Sequence, residues 1–247
     1  MLFHAESSHP NKIKSLIELL YANAETVYFR ISKEGMQFVH VIHDVHIYAN
    51  LHASGFDTYH FDAPTEAVYV GLGQHTARDF KTVRKGSRVS FKLHGAEPMQ
   101  FEVQVGAQGG GSVTFITAVE TYAAAFERPA EHTYMDTFTL CTADFSSMCR
   151  GFKPGTMTID AVLGAEVRMS MCIEGFKTKT YRFGTGDSSI TPQYHAEVSS
   201  DRILKLAKMA AFADTKTGVL LSVGDAGLKF VASCKLGTVE VHVAVTR

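Results

Sequence analysis

Residues 74–86 read QHTARDFKTVRKG. Ala77, Phe80 and Val83 recur at helical spacing, while Arg78, Lys81, Arg84 and Lys85 face a single acid, Asp79. This spacing predicts a helix over 73–85 with one buried stripe and a basic outer surface. The period then changes. VSFKL at 89–93 alternates apolar and polar residues, Gly95 follows, and MQFEVQV at 99–105 alternates again. Alternation of two marks strands with one buried face, so the helix is followed by a hairpin.

The same order recurs along the chain. Apolar residues at helical spacing predict three further helices, over 9–20 (Ile13, Leu16, Ile17, Leu20), 142–153 (Phe145, Met148, Cys149, Phe152) and 199–212 (Ile203, Leu206, Ala207, Ala210). Strands alternate at VYFRI (27–31), VRMSMCI (167–173) and VEVHVAV (239–245). The hairpin glycines Gly35, Gly95, Gly164 and Gly227 are 60, 69 and 63 residues apart. This is a degenerate helix–hairpin repeat, four times over. The fold class is α+β, dominated by antiparallel sheet. Two repeats per domain give two similar domains, 1–119 and 134–247, with 120–133 (ETYAAAFERPAEHT) as a connector that breaks alternation and contains Pro129.

Charge is divided along the same lines. The chain has 24 basic and 25 acidic residues. The four helical windows hold eleven of the basic residues and four of the acids, leaving 13 and 21 elsewhere. A surface helix ordinarily carries charge, but four of one sign, placed on one side by a sheet, make a surface that attracts polyanions.

Other features narrow the class. Hydrophobic content of 45% is ample for a core. The four cysteines, Cys141, Cys149, Cys172 and Cys234, form no CxxC pair, which suits a reducing, intracellular compartment. MLFHAESSHP lacks a basic region followed by an apolar run, so no secretory signal is expected. HVIHDVH at 40–46 reads as a strand, which turns His43 away from His40 and His46 and argues against a metal site. GAQGGGS at 106–112 lacks the GK[ST] ending of a phosphate loop and reads as a hairpin turn. No nucleophile-elbow or other catalytic spacing is present, so an enzyme is not expected.

Five stretches taken together resemble the sliding DNA clamps of the proliferating cell nuclear antigen family: SGFDTY (54–59), LGQHTARDFKTV (72–83), ERPAEHTY (127–134), FSSMCRGF (145–152) and LGTVEVHVAV (236–245). The likeness spans essentially the whole chain. It implies a DNA-clamp fold with two helices of each domain on the inner face of a ring. Its function would be that of a polymerase processivity factor without cofactor or catalysis, acting in the nucleus or at a viral replication site. The implied DNA-facing residues are Lys12, Lys14, Arg78, Lys81, Lys85, Arg150, Lys153, Arg202, Lys205 and Lys208. Implied partners are duplex DNA, DNA polymerase and other replication proteins carrying a short apolar motif, and a clamp loader. The partner pocket would involve His43, Val45, Ile47, Phe126, Pro129, Leu228, Val243, Ala244 and Val245. The family closes its rings, trimers by default, by pairing edge strands. Here that implies GSVTFITAV (111–119), with Ser112, Thr114 and Ile116, against KTKTYRF (177–183), with Lys177, Lys179 and Tyr181.

The chain departs from cellular relatives in three ways. It ends at VAVTR without the proline and acidic tail, its connector carries Ala123–Ala125 and Arg128, and its net charge is near neutral. These departures fit a divergent, virus-encoded clamp, and leave dimeric and monomeric forms open. Alternative readings are a clamp-like viral transcription factor, a checkpoint-clamp subunit, or a β-rich scaffold that does not bind DNA.

Overall fold

A computed structural model describes residues 1–42, 44–84, 86–95, 99–106, 110–121, 132–173, 175, 177–186 and 190–245. The elements run β1 (Phe3–Ser7), α1 (Pro10–Asn23), β2 (Thr26–Ser32), β3 (Gly35–Ile42), β4 (Val45–His52), β5 (Thr58–Phe61), β6 (Ala67–Gly73), α2 (His75–Asp79), β7 (Arg88–His94), β8 (Gln100–Gly106), β9 (Ser112–Ala118) and β10 (Glu120–Thr121). They continue with β11 (Asp136–Leu140), α3 (Thr142–Gly151), β12 (Thr156–Val162), β13 (Glu166–Ile173), β14 (Lys177–Gly184), β15 (Tyr194–Ser199), α4 (Ser200–Leu204), α5 (Ala207–Phe212), β16 (Val219–Gly224), β17 (Gly227–Cys234) and β18 (Gly237–Val243).

Apart from β5 and β10, this order is one unit written four times: a strand, a helical segment and three strands. The opening strand of each repeat pairs with the hairpin of another repeat. β1 pairs with β7 and β6 with β2; β11 pairs with β16 and β15 with β12. A single repeat therefore cannot complete its own sheet, and two repeats are the smallest unit that buries a core. Contacts divide the chain into two such units. One comprises Met1–His40, Tyr48–Arg128 and Cys234–Thr238; the other comprises Val41–Ile47, Pro129–Ser233 and Val239–Arg247.

In the first unit, α1 buries Ile13, Leu16, Ile17 and Leu20, and the turn after α2 buries Phe80 and Val83. A run of rings carries this core through the sheets: Phe80–Phe91 at 6.1 Å, Phe91–Phe101 at 5.9 Å, Phe101–Phe29 at 5.5 Å and Phe29–Phe38 at 5.2 Å between centroids. In the second unit, α3 buries Phe145, Met148 and Cys149, and α4 and α5 bury Ile203, Met209 and Phe212.

Gly35 (φ +149°) and Gly227 (φ +109°) open β3 and β17 in conformations that L side chains rarely adopt. A Cβ on Gly35 would lie 1.9 Å from the Leu51 carbonyl oxygen, and one on Gly227 would lie 2.4 Å from that of Val243. The hairpin glycines at these two places are set by a third strand crowding the turn.

Three sequence expectations are corrected. The second helix stops early: α2 gives way to a 3-10 turn at Phe80–Thr82, and Val83 is extended. Thr82 Oγ1 donates back to the Asp79 carbonyl at 2.7 Å, closing the last turn. Arg84 therefore lies beyond the helix. The fourth helix is interrupted at Lys205–Leu206, where i→i+3 bonds from Leu206 N to Ile203 O (2.9 Å) and from Met209 N to Leu206 O (2.8 Å) keep Leu206 buried. Finally, 40–46 is not one strand, because β3 ends at Ile42 and β4 begins at Val45, with Asp44 in a turn. The His40 ring lies against the carbonyl of Asn23 (Nε2–O 3.3 Å), and burial lowers its pKa.

The motif at 54–59 has a structural explanation. Gly55 packs where a Cβ would lie 2.7 Å from Leu236 Cα. The Asp57 carboxylate accepts from Ser8 N (2.6 Å) and Ser8 Oγ (3.1 Å) where the chain enters α1. Tyr59 donates its hydroxyl to the Ser32 carbonyl at 2.7 Å.

Candidate nucleic-acid interface

Each helix buries its apolar stripe in its own unit, which turns its basic residues outward. In the first unit Arg78 and Lys81 are exposed and Lys12 is half-buried. Lys14 is placed differently. Its Nζ donates to the carbonyls of Val83 (3.0 Å) and Lys81 (3.5 Å), so it ties α1 to the end of the α2 turn. Lys85 lies outside the described residues.

In the second unit Arg150, Lys153, Lys205 and Lys208 are exposed. α3 and α4 lie side by side, with Cys149 Sγ donating to the Ile203 carbonyl at 3.6 Å. Burial pushes the Cys149 thiol up to about 12, so it is inert. The exposed Lys153 is anchored through its backbone, since Ser200 Oγ donates to its carbonyl at 2.8 Å. Arg202 is half-exposed and paired with Asp44, with 3.5 Å between Nη2 and Oδ2.

Charge along α3 follows the helix dipole. Asp144 and Asp201 occupy the first turns of α3 and α4, and Arg150 and Arg202 the last turns. In α3 the acid and the base lie at opposite ends and Arg150 is exposed, whereas in the five-residue α4 Asp201 and Arg202 are adjacent and Arg202 is met by Asp44. Asp79 is the acid within the α2 face. Burial raises its carboxyl pKa, and the charge of His75 partly offsets this.

On the sheets, some basic side chains are paired with acids. Lys92 Nζ meets Glu102 at 2.7 Å, with His94 on the other oxygen at 3.3 Å, and His195 meets Asp160 at 2.7 Å. Arg168 pairs with the buried Glu166. Among the described residues, no group of three or more His, Cys, Asp or Glu is placed to hold a metal. Among the described residues, no helix is long and apolar enough to cross a membrane.

Four of the residues expected to form a partner pocket are buried. Val45, Ile47, Leu228 and Val243 are at most 2% exposed, because they sit at the inward positions of β4, β17 and β18. They are core residues, closed to a partner. Ala244 and Val245 follow the end of β18, exposed and half-exposed, and Ala244 N donates to the Asp44 carbonyl at 2.8 Å. His43, Phe126 and Pro129 lie outside the described residues.

The two expected interface strands each end a sheet. β9 lies outermost beyond β8, and β14 beyond β13. On β9, Ser112 and Thr114 are exposed and Ile116 is 61% exposed. Two of the β14 residues are committed elsewhere. Lys179 Nζ donates to the Gly151 carbonyl (3.2 Å) and Tyr181 donates to the Ser147 carbonyl (3.3 Å), so both satisfy carbonyls at the end of α3. Lys177 remains exposed.

The sequence reading missed Asp44 as a partner of the basic surface. An acid in a short turn gives no sequence signal of which distant side chain it meets.

No protein-family model matches the chain. It is similar to the uncharacterized protein 084R of Frog virus 3 (isolate Goorha), with 24% identity over 230 residues that cover 91% of this chain and 92% of that protein. Its structure is similar to the crystal structure of proliferating cellular nuclear antigen from Entamoeba histolytica. The TM-score is 0.83 at 16% identity, over 100% of this chain and 99% of that one. The chain therefore has the fold of the proliferating cell nuclear antigen clamp, an α+β DNA-clamp fold of antiparallel sheets and few helices.

Proposed function

We propose that the chain is a DNA polymerase processivity factor, a sliding clamp that encircles duplex DNA and tethers polymerase and other replication and repair proteins. The observation that carries this reading is the exposed basic set on and beside the helical segments: Arg78 and Lys81 in one unit, Arg150, Lys153, Lys205 and Lys208 in the other. Such a surface holds phosphates by a salt-sensitive attraction that is blind to sequence, which suits sliding. The gain is in effective concentration of the enzyme at its template, and the clamp itself catalyses nothing.

The repeat supports closure into a ring. β9 and β14, the last strands of the second and third repeats, each have an open side among the described residues. Pairing β9 of one copy with β14 of the next is heterologous and generates a ring, for which three copies is the expected number. The working place is the nucleus or a viral replication site, and likeness to a frog-virus protein favours a virus-encoded clamp. The test is primer extension on a long single-primed template by the replicative polymerase of the same genome. Adding the chain lengthens the products; unchanged product length contradicts the reading.

A further inference from the structure

On the basic surface, Arg202 is met by a carboxylate from another part of the chain. Arg202, in the last turn of α4, reaches Asp44 at 3.5 Å, and their side chains are 30% and 46% exposed. The neighbouring Lys205 and Lys208 are exposed on the same helical segment. Asp44 comes from a different element, the turn between β3 and β4, and its backbone carbonyl is fixed by Ala244 N at 2.8 Å. A carboxylate on a guanidinium is the same type of contact that a phosphate oxygen makes. Both groups are partly in water, so the pair is weak and open to exchange.

Building on the clamp reading, we propose that Asp44 is an internal phosphate mimic, a positioning residue that holds Arg202 away from DNA and lowers the clamp's grip on the duplex. When a phosphate approaches α4 it must displace Asp44 before Arg202 counts as a contact. The β3–β4 turn thereby regulates how many cations the helical surface offers. Anything that shifts this turn or the residues after β18 changes the grip without touching DNA. A clamp that slides benefits from such moderation, because each added phosphate contact steepens the dependence of affinity on salt.

The test is a double-mutant cycle on the full chain, read as affinity for a fluorescent 30-base-pair duplex across a salt series. Asp44→Asn tightens binding about two- to fivefold at low salt, the range a surface ion pair spans. It also steepens the slope of log affinity against log salt by about 0.9, one phosphate. In the Arg202→Ala background the same substitution changes neither quantity beyond the general effect of one charge. Equal effects of Asp44→Asn with and without Arg202, or an unchanged slope, overturn the proposal. Joint reversal of Lys81, Lys205 and Lys208 to Glu, measured alongside, separates the two levels. If that variant binds as well as the wild type, the clamp reading itself fails. If it loses binding while Asp44→Asn has no effect through Arg202, only this inference falls.

Discussion

Lys14 Nζ donates to the carbonyl of Val83 at 3.0 Å, across from α1 to the end of the α2 turn. This bond separates a structural lysine from the exposed lysines of the same surface. Lys14→Met should destabilise the fold by about 1–2 kcal/mol, the range for a hydrogen bond from a charged group, and lower the denaturant midpoint. Lys81→Ala should leave the midpoint nearly unchanged and reduce the salt slope of DNA binding by about 0.9. Equal effects of the two substitutions on stability would contradict the assignment.

Glu166 is 2% exposed and paired with Arg168 between β13 neighbours. Removing the cation alone leaves a buried carboxylate without its partner. Arg168→Met should therefore destabilise by about 3–5 kcal/mol, while Arg168→Met combined with Glu166→Gln should recover a large part of the loss. Urea unfolding of the three proteins gives the comparison, and a double variant no better than the single would argue against the pair.

The Asp57 carboxyl is held below the usual carboxylate range, chiefly by the Ser8 hydroxyl, with the Ser8 backbone N–H adding to it. Its folded pKa is lowered, so its contribution is present above the unfolded value of about 3.9 and fades as pH falls through the folded one. Asp57→Ala should destabilise by about 1 kcal/mol at neutral pH. The difference from the wild type should shrink in acid, as thermal melts between pH 7 and pH 3 will show.

Oligomerisation rests on the open edges. Val113 and Ile116 on β9 are 49% and 61% exposed, so lysines there are tolerated by the fold and disfavour strand pairing. The chain should sediment as a concentration-dependent oligomer. Val113→Lys with Ile116→Lys should sediment as a monomer with an unchanged melting temperature. A wild type that remains monomeric at every concentration would remove the ring.

Much of the fold could be read from periodicity. Phe29, Phe91 and Phe101 alternate with polar neighbours, and Phe80, Phe145 and Ile203 repeat at helical spacing; all are buried. What periodicity does not carry is which strand pairs with which. The exchange of β1 and β6 between repeats depends on contacts far apart in sequence. The site was less accessible for the same reason. Arg78, Lys81, Lys205 and Lys208 could be placed on helix faces. That Lys14 is consumed by Val83, Arg202 by Asp44, and Lys179 by Gly151 follows only from tertiary contacts. Val45, Ile47, Leu228 and Val243 show the reverse error. An aliphatic residue on a strand has the same sequence pattern whether it anchors a partner or fills the core, and here it fills the core.

The most direct test of the central claim is product length on a long single-primed template, with the cognate polymerase and either the wild-type chain or Lys81→Glu, Lys205→Glu and Lys208→Glu combined. All three side chains are exposed, so the variant should keep the wild-type melting temperature. The account predicts that the wild type extends the products and that the folded variant does not. Full stimulation by the folded variant would contradict it.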